Sequence, residues 1–248
     1  METIETKGLA GETQAVSNKI GVIDWAQVEN SLDTNGWAIL ENILTGEESQ
    51  ELAGLYDTPA IFRKHIIMAR HGYGKGEYKY FSYPLPGLIQ ELRTRLYPRL
   101  VPIANRWHET MRQGMQFPSE HADFIERCRQ AGQTRPTPLI LKYTAGDYNC
   151  LHQDLYGEHV FPLQVAFLLS EPGLDFEGGE FILTEQRPRM QSRVEVVPLK
   201  RGDAVVFAVN RRPVQGTRGS YQVQLRHGVS RVRTGQRYTL GVIFHDAA

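Results

Sequence analysis

Apolar positions along the chain follow two periods, and the change comes near residue 138. Before it, the helical period dominates: Leu88, Leu92, Leu96 and Leu100 recur every four residues and predict a helix over about residues 87–111. Pro98 and Pro102 fall inside that stretch, where a missing N–H and a steric clash predict a kink or a division. A short helix is expected over residues 25–32, and a short strand over 37–40 after the turn at Asn35-Gly36. Thr45 followed three residues later by Glu48 has the form of a capping box opening a helix to about Tyr56. After residue 138 the apolar positions alternate or run in short blocks. Strands are expected over residues 139–143, 161–170, 180–185, 193–199, 204–209, 221–225 and 237–245, separated by turns such as Glu177-Gly-Gly179 and Arg201-Gly-Asp203.

Many short strands with Gly-, Pro- and Asp-rich turns predict an α+β, mainly β fold. A sandwich or jelly roll suits them better than a parallel sheet with crossover helices. The expected organisation is a loose N-terminal arm over 1–20, a helical and mixed part over 21–137 on the substrate side, and a β core over 138–248, with the helices covering one face. No internal repeat and no low-complexity tract interrupts this.

Composition adds little: 41% hydrophobic and 23% charged residues are ordinary for a globular protein, and 248 residues can bury a sizeable core. No apolar run is long enough to span a bilayer, and the first twenty residues lack the basic start and apolar stretch of a secretory signal. Cys128 and Cys150 cannot form a disulfide framework, so a cytoplasmic protein is expected. The net charge of zero hides an asymmetry. Residues 1–60 carry eleven acidic side chains against two Lys, while residues 187–237 carry twelve Lys or Arg against two acids. Either the two regions pack together or show solvated faces, or the basic part attracts an anionic substrate such as a phosphate backbone.

Two His-x-Asp pairs occur, His121-Ala-Asp123 and His152-Gln-Asp154. The first lies in a helical stretch, where residues two apart point to different sides, so His121 is expected on a helix surface. The second follows the strand over 139–143 in an irregular stretch; extended backbone puts both side chains on one side. An imidazole and a carboxylate so placed are two-thirds of the 2-His-1-carboxylate triad that holds iron(II) with open positions. His227, at the end of the strand over 221–225, is the natural third ligand; His159 is too close to the pair and His245 lies at the extreme end. A hydrogen-bonded structural role for these His is the competing reading.

Arg237 follows His227 by ten positions and opens the last strand, where alternation puts Arg237, Thr239, Gly241 and Ile243 on one face. An inward Arg is a buried charge that needs a partner, and the distal carboxylate of a dicarboxylate cosubstrate would take its guanidinium fork in two hydrogen bonds. Thr239 can add a hydroxyl. Arg231 and Arg233 are rivals expected to face solvent, and an edge-strand Arg237 in water is the plainer alternative.

In this order, Tyr143, His152-Gln-Asp154, Glu177-Gly-Gly-Glu180, Arg201-Gly-Asp203 before Val205-Val-Phe207, His227 and Arg237 resemble the core of the 2-oxoglutarate and iron(II)-dependent oxygenases, nearest the prolyl-hydroxylase-type branch. The resemblance implies a double-stranded β-helix, with iron(II) on His152, Asp154 and His227 and 2-oxoglutarate on Arg237. It also implies hydroxylation by O2 with decarboxylation of 2-oxoglutarate to succinate and CO2. The branch often has a second Tyr near the position of Leu168, so Tyr143, Thr239 or Gln164 is expected as the further partner of the distal carboxylate. Leu151-His-Gln-Asp-Leu-Tyr-Gly157, Glu185-Gln-Arg-Pro-Arg189 and Arg226-His-Gly-Val-Ser-Arg231 resemble a bacterial subgroup linked to oxidative demethylation of alkylated nucleic acid.

The segment 70–83 contains Tyr73, Lys75, Tyr78 and Tyr80 and suits either a lid over the pocket or a hairpin of Tyr-rich strands. Arg211-Arg212-Pro213 through Arg218-Gly219 is expected as a basic loop. Three functions stay open: hydroxylation of a protein side chain or small molecule, demethylation of nucleic acid, and a non-catalytic metal- or ligand-binding sensor.

Overall fold

The computed structural model describes residues 16–217 and 219–248. The arm expected over 1–20 lies outside the described residues as far as 15; residues 16–20 are helical, with Val16 and Ile20 buried. Arg218 of the expected basic loop also lies outside them.

The chain folds as a mixed α/β structure around two antiparallel sheets. After that first helical stretch come the helices α1 (Trp25–Asn35), α2 (Gly46–Gly54), α3 (Gly87–Thr110) and α4 (His121–Gln130). The strands are β1 (Trp37–Leu40), β2 (Phe62–Ile67), β3 (Gly74–Lys75), β4 (Glu77–Phe81), β5 (Leu139–Thr144), β6 (Tyr148–His152), β7 (Leu163–Leu168), β8 (Phe176–Gly178), β9 (Phe181–Gln186), β10 (Arg193–Val197), β11 (Ala204–Ala208), β12 (Arg211–Gly216), β13 (Gly219–Val229) and β14 (Val232–Val242). The larger sheet runs β1-β11-β7-β14-β5-β4-β2 with β8 on β14; the smaller runs β10-β9-β13-β6-β3 with β12 on β13.

The larger sheet is covered on both faces, which is why β7 is buried at every position. One face carries Ile140, Phe167, Leu240 and Val242 into a core with Leu92, Leu96 and Leu100 of α3. Each of those leucines is fully buried and contributes about 1.5–3 kcal/mol. The other face puts Tyr143, Ala166, Leu168 and Phe207 against Phe181, Leu183 and Val229 of the smaller sheet. The site lies between the sheets.

Several local expectations change. Helix α3 runs as one element through Pro98 and Pro102 and is not divided. Both prolines and Thr94 are exposed, so a carbonyl freed by a proline can be hydrated on the solvent side. The capping box forms, with Thr45 Oγ1 accepting from the Glu48 amide at 3.1 Å and Glu48 Oε2 accepting from the Thr45 amide at 2.6 Å. The basic loop is instead the β12–β13 hairpin, and Arg212 within it is buried and ion-paired with Glu185. His121 is not a surface residue: it is buried, and its Nε2 lies 2.9 Å from the Phe244 carbonyl. A helix of mean polar character hid that, because α4 packs a narrow face of His121, Phe124 and Cys128 inward.

Candidate active site

His152 ends β6 and His227 lies within β13, and the two are directly paired in register. Opposed residues of an antiparallel pair project to the same face, so both rings enter the space between the sheets, with centroids 4.2 Å apart. His152 is thus on a strand and not in an irregular stretch. His227 lies inside an eleven-residue strand rather than past its end; reading Gly228 as a turn cut that strand short. Asp154 follows β6 by two residues and is buried. Its Oδ1 is 3.5 Å from His152 Nε2 and its Oδ2 is 3.3 Å from His227 Nε2. One ligand atom from each of the three residues lies within 4.8 Å of the others.

The surroundings aim these groups. His152 Nδ1 sits 2.8 Å from the Cys150 carbonyl, which turns Nε2 toward the carboxylate. Phe207 and Phe181 pack on the His227 ring at 4.6 and 6.0 Å between centroids. Burial lowers the His227 pKa, and the neighbouring His152 adds to that, against the opposing pull of the Asp154 carboxylate. Burial alone would raise the Asp154 carboxyl, but hydrogen bonding and charge from His227, with His152 and Tyr156, hold it well below the usual carboxylate range.

A cavity of about 320 Å³ opens beside the three residues, and Tyr143, Gln164, Arg237 and Thr239 line it. Arg237 lies mid-strand in β14, which begins five residues earlier than expected, and is 1% exposed. Its Nη1 donates to Thr239 Oγ1 at 2.5 Å, its Nε has no partner, and among the described residues no carboxylate pairs with it. Burial draws this guanidinium down to about 10. Gly178 and Gly179, both at positive φ, carry the chain over it: a Cβ on Gly179 would stand 3.0 Å from Arg237 Cδ. Tyr143 Oη and Gln164 Oε1 are likewise buried without partners. Arg231 and Arg233 face solvent.

Of the expected lid residues, Tyr73 and Tyr78 reach the cavity wall. Tyr80 is buried behind them, edge-on to Tyr78 and Tyr156, and Lys75 is exposed on β3. The segment forms strands of both sheets, with β4 beside β5 and β3 beside β6. Sequence reasoning gave no site role to Phe181, Phe207 and Tyr156, although Phe207 and Tyr156 stand inside motifs that carry the resemblance.

Residues 76–247 match the Oxygenase-NA family, described as an oxygenase catalysing oxidative methylation of damaged DNA. The chain belongs to this family. It is therefore an oxidoreductase, and the sensor reading falls away. Two uncharacterized proteins from two strains of Mycobacterium tuberculosis are each 49% identical to this oxygenase over 168 residues, 68% of this chain and 72% of theirs. Among solved structures, a Pseudomonas putida prolyl-4-hydroxylase superposes with a TM-score of 0.51 at 14% identity, covering 88% of this chain and 96% of that one. A 2-oxoglutarate–iron(II) oxygenase-family oxidoreductase from Burkholderia pseudomallei gives 0.51 at 16%, covering 92% and 94%. A Trichoplax adhaerens prolyl hydroxylase, in complex with a peptide of hypoxia inducible factor, gives 0.51 at 18%, covering 96% and 92%. At such identities the likeness shows the fold, which this oxygenase shares with the 2-oxoglutarate–iron(II) oxygenases. Among the described residues no helix is long and apolar enough to cross a membrane.

Proposed function

We propose that this oxygenase is an iron(II)- and 2-oxoglutarate-dependent dioxygenase that hydroxylates its substrate, and that its two sheets form a double-stranded β-helix with residues 138–248 as the catalytic core. One observation carries the reading: a buried arginine without a carboxylate partner shares a cavity with two histidines and an aspartate whose ligand atoms converge. Two neutral nitrogens and one anionic oxygen suit iron(II), and three protein ligands leave positions open. The orphaned Arg237 Nε, Tyr143 Oη and Gln164 Oε1 suit the far carboxylate of a short dicarboxylic acid. The residues present fit both groups. A bound iron with its cosubstrate and O2 would supply the oxidising power for C–H hydroxylation, leaving succinate and CO2.

The chain's own part is positional. His152, Asp154 and His227 would hold the metal, Arg237 and Thr239 the cosubstrate, and the apolar walls at Phe181, Phe207, Leu141 and Val229 keep bulk water out. Tyr73 and Tyr78 stand where a substrate would enter. We place the protein in the cytoplasm, on the strength of its two unpaired cysteines.

The test is anaerobic titration of the iron(II)-loaded chain with 2-oxoglutarate. The weak visible band of chelation should appear, and should be absent in His227→Ala. Iron binding without the band would discard the cosubstrate.

A second reading is oxidative demethylation of alkylated nucleic acid. The family description, which names damaged DNA, favours it, as do the exposed Arg226, Arg231 and Arg233 that follow and flank His227. It requires DNA binding that falls steeply as salt rises.

A further inference from the structure

We propose that Tyr156 is a positioning residue that decides which oxygen of Asp154 is left for the metal, and that Gln133 acts through it. This rests on the metal reading above. A carboxylate can turn either oxygen, or both, toward a cation. Here the Tyr156 hydroxyl donates to Asp154 Oδ1 at 2.7 Å. That bond occupies one oxygen and leaves Oδ2, 3.3 Å from His227 Nε2, without a tyrosine donor. A phenol hydrogen-bonded to a buried carboxylate also fixes the carboxylate plane, since turning it would break that bond.

Tyr156 is in turn held from three sides. Its ring stands edge-on to Tyr80 at 6.4 Å and 90°, and lies 6.3 Å from the His245 ring. The backbone behind it is pinned by Gln133, a buried residue just past α4. Gln133 Nε2 shares its two hydrogens among the carbonyls of Tyr156 and His159, each at 3.1 Å, and that of Asp246. Gln133 Oε1 accepts from the His159 amide at 2.7 Å. Between those residues Gly157 has φ +98°, and a Cβ there would meet Gln133 Cδ at 2.5 Å. The glutamine amide therefore fills the place a side chain would take, and the loop after the carboxylate closes around it. One amide holds the loop, the loop holds the phenol, and the phenol holds one oxygen. Outer partners of metal ligands commonly govern metal affinity by 10–100-fold.

The experiment is Co(II) titration of the full chain without cosubstrate, reading the dissociation constant and the visible d–d band, beside thermal unfolding of the metal-free protein. In Tyr156→Phe, Co(II) should bind about 10-fold or more weakly with an altered band, while the metal-free protein melts close to the unmodified one. Gln133→Met, which keeps the volume and removes the hydrogen bonds, should weaken binding in the same direction by less. The double variant should be no weaker than Tyr156→Phe alone, because the two act in series. Unchanged affinity and band in Tyr156→Phe overturn the proposal; should that variant not fold, unchanged values in Gln133→Met do so. Failure of the unmodified chain to take up Co(II) overturns the metal reading, and this inference with it.

Discussion

Arg93 and Arg237 are equally buried, at 1% exposure, and sit in regions built for opposite purposes. At the C-terminal end of β14, Arg93 donates to Asp246 at 2.7 Å, to the Tyr83 hydroxyl at 2.8 Å and to the Ile243 carbonyl at 2.8 Å. In the cavity, Arg237 has one threonine hydroxyl and no carboxylate among the described residues. The first is a closed network that ties α3 to the chain terminus. The second is a buried charge left open to the cavity. A third buried arginine, Arg212, again has its carboxylate in Glu185 and also donates to the carbonyls of Asp33 and Thr34 at the end of α1. Burial alone therefore does not mark a site; burial without a partner, facing a cavity, does.

The comparison can be broken by removing one partner from each region. Asp246→Ala strands Arg93 and should cost about 3–5 kcal/mol of stability, read by urea unfolding, without altering the cavity. A smaller loss would mean that Arg93 is hydrated and the network is not closed. Arg237→Met should act the other way. It removes a charge with no carboxylate, so the stability of the ligand-free protein should stay level or rise. In the same variant, 2-oxoglutarate binding should fall at least about tenfold with metal content unchanged. A destabilised Arg237→Met that still bound 2-oxoglutarate would reverse the roles given to the two arginines.

Per pH unit, a smaller effect comes from two buried histidines. Burial, helped by the nearby Arg93 charge, pulls His121 and His245 down to about 3. Both are neutral in the folded protein, while the unfolded chain takes up their protons near the ordinary His value of about 6.5. The unfolded state thus binds more protons between those limits, so this contribution is whole above about pH 6.5 and is lost as pH falls toward 3. Each His should add up to about 1.4 kcal/mol per pH unit to the slope within that window. Replacing His121 with Gln should flatten the slope, and an unchanged slope would show that His121 does not titrate with unfolding.

How much of this was legible in the sequence varies from element to element. The strands over 139–144, 163–168, 181–186, 193–197 and 204–208 were each foreseen to within a few residues, because a buried strand writes an apolar block, and a half-exposed one an alternation, directly into the chain. β8 and β12 were missed: one is three residues long, and the other begins with two arginines of which one is inward. That inward residue, Arg212, was expected in a basic loop because nothing local announces Glu185, which lies 27 positions away. The convergence of His152, Asp154 and His227 was foreseen from residue types and the two-residue spacing, although their strand contexts were not.

The sequence by itself determined the change of period at residue 138, the inward face carrying Arg237 and Thr239, and the residue types able to hold a metal. Those are local facts, fixed by alternation and by the chemistry of each side chain. Only the tertiary structure decided that β6 and β13 pair at His152 and His227, that Arg237 has no carboxylate partner, and that Gln133 fills the loop behind Tyr156. Each depends on which distant segments meet, and the close packing that brings them together is a property of the whole core, not of any stretch of chain.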